Sequence, residues 1–192
     1  MDRRQFVKQA GVGSIGLGAA LAVTPGAAAA YRKGDGHQHF SLVCISTTSA
    51  AEPTNHALVL EGAGSFKAKT GQADRTGGGN FVHIANFPTG LPGPLASGIW
   101  DVTGFISFQQ TTPVSDYGRI RSGILVVTVV LLPDGGGSLE GTLQVICNIG
   151  PAGISTGQPE GFRLNLPGAG FNFDTPIVGL THISIPEGES SV

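Results

Sequence analysis

The sequence is poor in charge for its length. Charged residues make up 12% of 192, and 11 Lys and Arg stand against 13 Asp and Glu, a formal net charge of −2. A nucleic-acid backbone is bound by clustered Lys and Arg, so this composition excludes nucleic acid as a partner. The hydrophobic content of 40% is also too high for disorder driven by charge. We therefore expect a folded domain with a sizeable core.

Helical periodicity is missing as well. After residue 30 no stretch keeps a helical hydrophobic period over three turns. Short apolar segments separated by Gly, Pro, Asn and Asp predict strands instead. These segments are 39–48, 56–68, 79–87, 98–110, 123–132, 138–149, 161–166 with 170–173, and 179–186. The sequence thus predicts one all-β domain over residues 31–192, an antiparallel β-barrel or β-sandwich of about eight strands. In strand number and in glycines at bends it is similar to eight-stranded ligand barrels such as lipocalins and allene oxide cyclases.

Three segments predict which side chains face the core. Residues 123–132, GILVVTVVLL, are apolar on both faces and predict a covered central strand. Segment 138–149 alternates, which predicts one inward row made by Leu139, Leu143, Val145 and Cys147. In segment 98–110 the same period of two predicts an inward row made by Trp100, Val102, Ile106 and Phe108.

Long apolar runs are also absent. The run from Ala10 to Val23 is 14 residues, which is short for a bilayer span. It follows a basic start and precedes small residues, the three parts of a secretory signal. Ala28 and Ala30 form an A-x-A pattern, so we expect cleavage before Tyr31 and a signal peptide over residues 1–30. Its removal takes away three basic residues and one acidic residue, leaving eight against twelve, or a net charge of about −4.

The basic start carries a more specific motif. Arg3, Arg4, Phe6 and Lys8 match the motif Ser/Thr-Arg-Arg-x-Phe-Leu-Lys, while Asp2 and Val7 depart from its commonest residues. The segment resembles a bacterial twin-arginine (Tat) signal peptide. That resemblance implies the Tat translocon as a partner, export of a folded protein, and a periplasmic, cell-surface or extracellular location. Contact with the membrane would be made only through the uncleaved signal. An ordinary general-secretory signal is the alternative.

Only two cysteines are present, Cys44 and Cys147. Export to an oxidising compartment and the even count predict a structural disulfide between them. Such a bond would close a long loop and contribute up to about 4 to 5 kcal/mol. The alternative is a pair of buried free thiols acting as small hydrophobic side chains.

Histidines are the candidate metal ligands. His37 and His39 lie two residues apart, which places both rings on one face of a strand, and His83 or His182 could add a third ligand for Zn or Cu. The alternative is that these are ordinary histidines with backbone partners. No other cofactor is predicted.

Candidate catalytic groups are scattered. The segment GISTG, 153–157, fits the G-x-S-x-G pattern around Ser155, with Asp174 and His182 following, but the TGQPEG after the serine opposes the helix that this motif needs. The polar residues Glu61, Asp101 and Arg119 would serve an enzyme only if a pocket gathers them.

These observations favour an exported, non-catalytic module that binds a small ligand or belongs to the envelope or cell surface. A barrel-type enzyme (lyase, isomerase or hydrolase) with a polar pocket, and a histidine-coordinated metalloprotein, are the alternatives.

Overall fold

The described residues form nine strands and one short 3-10 turn. The computed structural model describes residues 37–48, 55–73, 77–87, 94–111, 119–148 and 155–185. The strands are β1 (Gln38–Thr48), β2 (Ala57–Lys67), β3 (Gln72–Ala73), β4 (Gly78–Ile84), β5 (Pro94–Gln110), β6 (Gly123–Pro133), β7 (Leu139–Cys147), β8 (Gly161–Leu166) and β9 (Phe171–Ser184); the 3-10 turn is Pro167–Ala169.

The sheet closes on itself. Its order is β1-β9-β8-β7-β6-β5-β4-β2, every pairing is antiparallel, and β1 pairs with β2 from Gln38↔Phe66 to Thr47↔Ala57. The short β3 adds to β2 outside this ring. The all-β prediction is therefore confirmed, and of its two architectures the protein adopts the barrel. Closure leaves the eight main strands without an unpaired edge.

Alternating side chains fill the barrel. The inward residues of all eight main strands form one contiguous apolar core, because every second residue of a strand faces the same side. The predicted alternation in β7 is confirmed, since Leu143, Val145 and Cys147 are buried and Leu139 packs against the core. Strand β6 buries its inner row completely, but Val126, Val130 and Leu132 on its outer side are half-buried rather than covered.

Two β-bulges change the inward face of β5. The β5–β6 register shifts between Val102 and Gly104 and again between Phe105 and Ser107. Each bulge inserts one extra residue and so reverses the alternation beyond it. As a result Phe105 packs against the core while Ile106 is 50% exposed. The prediction of an inward Ile106 is wrong for this reason.

Strand β9 joins two segments that the sequence separates. Residues 170–173 and 179–186 are predicted as parts of different strands. The structure runs one 14-residue strand through Pro176. The β1–β9 register shifts between Ile45 and Ser46, where Ser46 pairs with Pro176. A bulge is one of the few places where a strand accommodates a proline.

Gly62 makes room for the one tryptophan. A Cβ at Gly62 would overlap the Trp100 indole and the Gly78 carbonyl oxygen. The indole Nε1 donates a hydrogen bond to the carbonyl oxygen of Glu61 at 3.0 Å. A missing side chain on β2 thus lets a fully buried Trp100 reach a backbone acceptor.

The predicted signal peptide, with Arg3, Arg4, Phe6, Lys8, Ala28, Ala30 and Tyr31, lies outside the described residues. Within the described ranges, no helix has the length and apolar character needed to cross a bilayer.

Candidate functional site

Side chains, rather than open space, occupy the barrel interior. Its largest fully buried members are aromatic, and the core around them runs from β1 to β9. Phe66 stacks on Phe105 at 5.9 Å between ring centroids and lies 5.0 Å from Phe108. A ligand barrel of comparable size instead keeps its interior open for its ligand. Candidate functional sites are therefore sought at the two ends of the barrel and on its outer wall.

One end of the barrel holds a pair of histidines. His56 precedes β2, and His83 lies near the end of β4, where it pairs with Leu58. The two half-buried rings meet with His56 Nδ1 2.6 Å from His83 Nε2. At this distance one nitrogen carries a proton and donates it to the other. We call this end the histidine end.

The surroundings hold the backbone of His56 and the ring of His83. The Thr48 Oγ1 atom accepts a hydrogen bond from the His56 backbone N–H at 3.2 Å, and the Thr48 N–H donates to the His56 carbonyl oxygen at 2.9 Å. The Phe173 ring meets the His83 ring edge-on, with centroids 5.5 Å apart. Three strands and one aromatic ring therefore set the geometry of the pair.

Burial tunes the titration of His83. Desolvation, followed by the neighbouring His56, lowers the pKa of His83 from 6.5 to about 4. At neutral pH the His83 imidazole is consequently uncharged and can accept a proton or bind a cation.

The predicted metal triad is not assembled. On β2, Ser65 pairs with His39 and Leu58 lies opposite His83. Seven residues of strand separate these positions, about 23 Å. His39 and His83 thus lie at opposite ends of the barrel, and the exposed His182, which pairs with Ser41, lies on the His39 side and away from His83. Among the described side chains, no three His, Cys, Asp or Glu are grouped to hold a metal ion.

The end opposite the histidine end carries a small groove. It has a volume of about 140 Å³ and is lined by His37, Phe66, Lys67, Gln72 and Ala73. Ligand pockets span roughly 300 to 1,000 Å³, so this groove suits a few waters better than a cofactor. Nearby, burial and the adjacent His37 lower the pKa of His39.

The predicted disulfide is wrong, because Cys44 and Cys147 are free, buried thiols. Both thiols contact β9: the Cys44 thiol donates to the Leu180 carbonyl oxygen and the Cys147 thiol to that of Thr181, each at 3.6 Å. In the sheet order β9 and β8 stand between β1 and β7. Alternation correctly predicted the buried face of each cysteine but not the strands between them.

The two thiols are also unreactive, because their surroundings keep them protonated. Burial raises the pKa of Cys44 to about 12 and also raises that of Cys147, with the Glu160 carboxylate contributing at both. That carboxylate accepts hydrogen bonds from the Thr181 backbone N–H at 2.9 Å and from the Thr181 hydroxyl at 3.0 Å. A protonated, buried thiol is a poor nucleophile, so these cysteines act as core residues.

The candidate hydrolase triad is not assembled either. The Ser155 hydroxyl donates to Asn148 Oδ1 at 3.1 Å, and the Thr156 N–H and hydroxyl donate to the same oxygen. These bonds fasten a loop between β7 and β8. Asp174 is exposed and accepts a hydrogen bond from the adjacent Thr175 hydroxyl. Ser155 and Thr156, in the described part of the G-x-S-x-G pattern, thus lie in a turn held by an asparagine.

The three polar candidates for an enzyme lie apart from the interior. Glu61 is on the outer side of β2 and accepts a hydrogen bond from Asn80 Nδ2 at 2.8 Å. Asp101 alternates with the buried Trp100 and therefore also faces outward, while Arg119 is exposed before β6. The structure does not gather them in a pocket.

The outer wall has an uncharged apolar region. Val43 is 49% exposed, Val178 48% and Leu180 78%. Register places Val43 beside Leu180 and Ile45 beside Val178, and the second row continues to Val59 and Val82. We define the outer apolar face as Val43, Ile45, Val59, Val82, Val178 and Leu180.

Charge is scarce around this face. Strand β1 contains no charged residue, and β9 contains only Asp174, near its start. Glu61 is the cross-strand neighbour of Val43 at the border of the face, and one of its carboxylate oxygens accepts a hydrogen bond from the Asn80 side chain. An exposed apolar patch of this kind is a candidate interaction surface.

Sequence reasoning missed His56 and the outer apolar face. His56 becomes significant only through the pairing of β2 with β4, and β3 separates these strands in the chain. No local pattern signals that contact. The face was detectable in part, because Val43, Ile45 and Val59 occupy positions that period-two alternation assigns to the outer side.

Comparison with known proteins leaves the fold as the guide to function: no family model, no curated protein and no solved structure matches the chain.

Proposed function

We propose that the protein is an exported, non-catalytic β-barrel that serves as a structural module of the envelope or cell surface. In this proposal it acts through its outer apolar face, which packs against the same face of a second copy. The observation that carries the proposal is the contrast between a filled interior and exposed Val43, Val178 and Leu180 on one part of the wall.

A second copy is the partner that the charges favour. A two-fold interface brings each residue of a patch near the same patch on the other copy, so a charged patch repels itself. The outer apolar face lacks charged members and is bordered by the hydrogen-bonded Glu61. Because the barrel is closed, the two copies would meet face to face, about 10 Å apart, rather than by joining strand edges.

The test is self-association of the purified protein, followed by sedimentation velocity over a range of concentrations. Val43→Ser with Leu180→Ser should weaken the dimer by more than about a hundredfold, since each copy loses two buried apolar side chains. Ile106→Ser is the matched control, because Ile106 is 50% exposed on β5 outside the outer apolar face. It should leave the dimer intact.

Two results would refute the assembly. One is a wild-type chain that stays monomeric at every concentration tested. The other is a Val43→Ser/Leu180→Ser chain that dimerises as tightly as the wild type while its circular dichroism is unchanged.

Export is proposed from the N-terminal motif alone. Arg3→Lys with Arg4→Lys keeps the charge of the signal but removes the arginine pair, so the precursor should accumulate in the cytoplasm. Arg32→Lys, just after the expected cleavage position, is the control and should be exported normally. Cell fractionation with an antibody to the barrel measures both. Normal export of the twin-lysine variant would point to the general-secretory route.

A further inference from the structure

The histidine end has a geometry that self-association does not use. Two imidazole nitrogens from neighbouring strands converge, His56 Nδ1 and His83 Nε2, 2.6 Å apart. Their rings lie 4.8 Å apart between centroids and are tilted by 33°. We propose that His56 and His83 form a two-histidine binding site for a divalent transition metal, copper(II) in particular, with water completing the coordination. On binding, the metal displaces the proton held between the two nitrogens, which passes to solvent or to the far nitrogen of its ring.

The distance between the nitrogens discriminates among metals. Two nitrogens at about 2.0 Å from a metal lie about 2.8 Å apart when the angle at the metal is near 90°, as in tetragonal copper(II). The same bonds at a tetrahedral angle, which zinc prefers, require about 3.3 Å. Starting from 2.6 Å, the pair needs to open by about 0.2 Å for copper and about 0.7 Å for zinc.

The contacts around His56 and His83 favour the smaller opening of the pair, the one that copper requires. His83 is held by the β2–β4 ladder through Leu58 and by the Phe173 ring, while the backbone of His56 is tied to Thr48 by two hydrogen bonds. Metal-binding histidines are commonly oriented by such outer contacts. A site with only two protein ligands leaves positions for water, which a half-buried barrel end can supply.

The proposal is tested on the full-length protein, stripped of metal with a chelator and titrated with copper(II) and zinc(II). The wild-type chain should bind one copper(II), and its electron paramagnetic resonance spectrum should show coupling to two imidazole nitrogens. His56→Gln with His83→Gln should lower copper affinity by more than about tenfold, because both metal–nitrogen bonds are lost.

The matched control is His37→Gln with His39→Gln at the other end of the barrel. It removes the same number of histidines far from the histidine end and should leave copper affinity within about twofold of wild type. Equal copper binding by the His56/His83 variant and the wild type would overturn the proposal, as would a loss confined to the His37/His39 variant. If the double variant does not fold, a wild-type spectrum without two-nitrogen coupling overturns it equally. Neither outcome bears on dimer formation, which sedimentation measures separately.

Discussion

Adjacent residues of β1 meet opposite environments. Leu42 is 2% exposed inside the barrel, and Val43 beside it is 49% exposed on the outer wall. Both are aliphatic, but only the inner one is explained by folding, since it packs against side chains from other strands. An aliphatic residue at an outer position of a closed barrel contributes little to the monomer. The difference suggests that the inner surface determines the fold and that the outer surface serves association.

The largest expected effect comes from substituting the two neighbours in parallel. Leu42→Ala should lower the free energy of unfolding by about 2 to 5 kcal/mol, because it removes buried methyl groups and leaves a cavity. Val43→Ala should change it by less than about 0.5 kcal/mol. Urea unfolding at a concentration where the chain is monomeric measures both. Equal destabilisation by the two substitutions would contradict the division into inner and outer surfaces.

A smaller effect is expected where the interior is already full. Gly62→Ala should destabilise the protein by about 1 to 3 kcal/mol, because the new methyl group meets the Trp100 indole. Gly135→Ala is the control, since a Cβ there has nothing within 4 Å. It should stay within about 0.5 kcal/mol of wild type. A stable Gly62→Ala chain would indicate free space beside Trp100.

Lowering the pH should reduce the free energy of unfolding through His83, by less than the preceding substitutions do. His83 has a pKa of about 4 in the folded protein against an ordinary 6.5, so the unfolded chain binds more protons between these values. The stabilisation is complete above about pH 6.5 and is lost as the pH falls to about 4. Because the ring is half exposed, solvent screening reduces the loss to on the order of 1 to 2 kcal/mol.

The measurement is chemical unfolding at several pH values in the presence of a chelator. His83→Gln should flatten the pH dependence between 4 and 6.5 relative to wild type, since that variant lacks the titrating ring. Parallel pH profiles for the two chains would show that His83 is not the group responsible.

Reducing agent should have the smallest effect, namely none. Since Cys44 and Cys147 are free, dithiothreitol should leave the Tm unchanged, whereas loss of a native disulfide typically costs about 2 to 5 kcal/mol. Both thiols should react with Ellman's reagent only after denaturation, because burial raises the pKa of each. A Tm that falls under reduction would indicate that a disulfide does join β1 and β7.

The same contrast explains how much the sequence could predict. Period-two alternation placed Leu143, Val145 and Cys147 correctly, because a strand's inner face depends on its own residues. The bulges that expose Ile106 could not be predicted from the sequence, since they arise from pairing between β5 and β6. For the same reason the contact between His56 and His83 was missed.

Barrel closure and the strands between the cysteines also depend on pairing. Alternation says which face a side chain occupies, but not which strand lies beside it. The sequence was therefore informative about burial and strand number, and uninformative about neighbours across the sheet.

The central claim is that side chains fill the interior and that association takes place on the outer apolar face, which β9, β1, β2 and β4 form. Backbone amide NMR spectra recorded on progressive dilution test it most directly. The account predicts concentration-dependent shifts at Val43, Ile45, Val178 and Leu180, with the amides of β6 and β7 unchanged. Spectra that do not change on dilution, or shifts confined to β6 and β7, would contradict it.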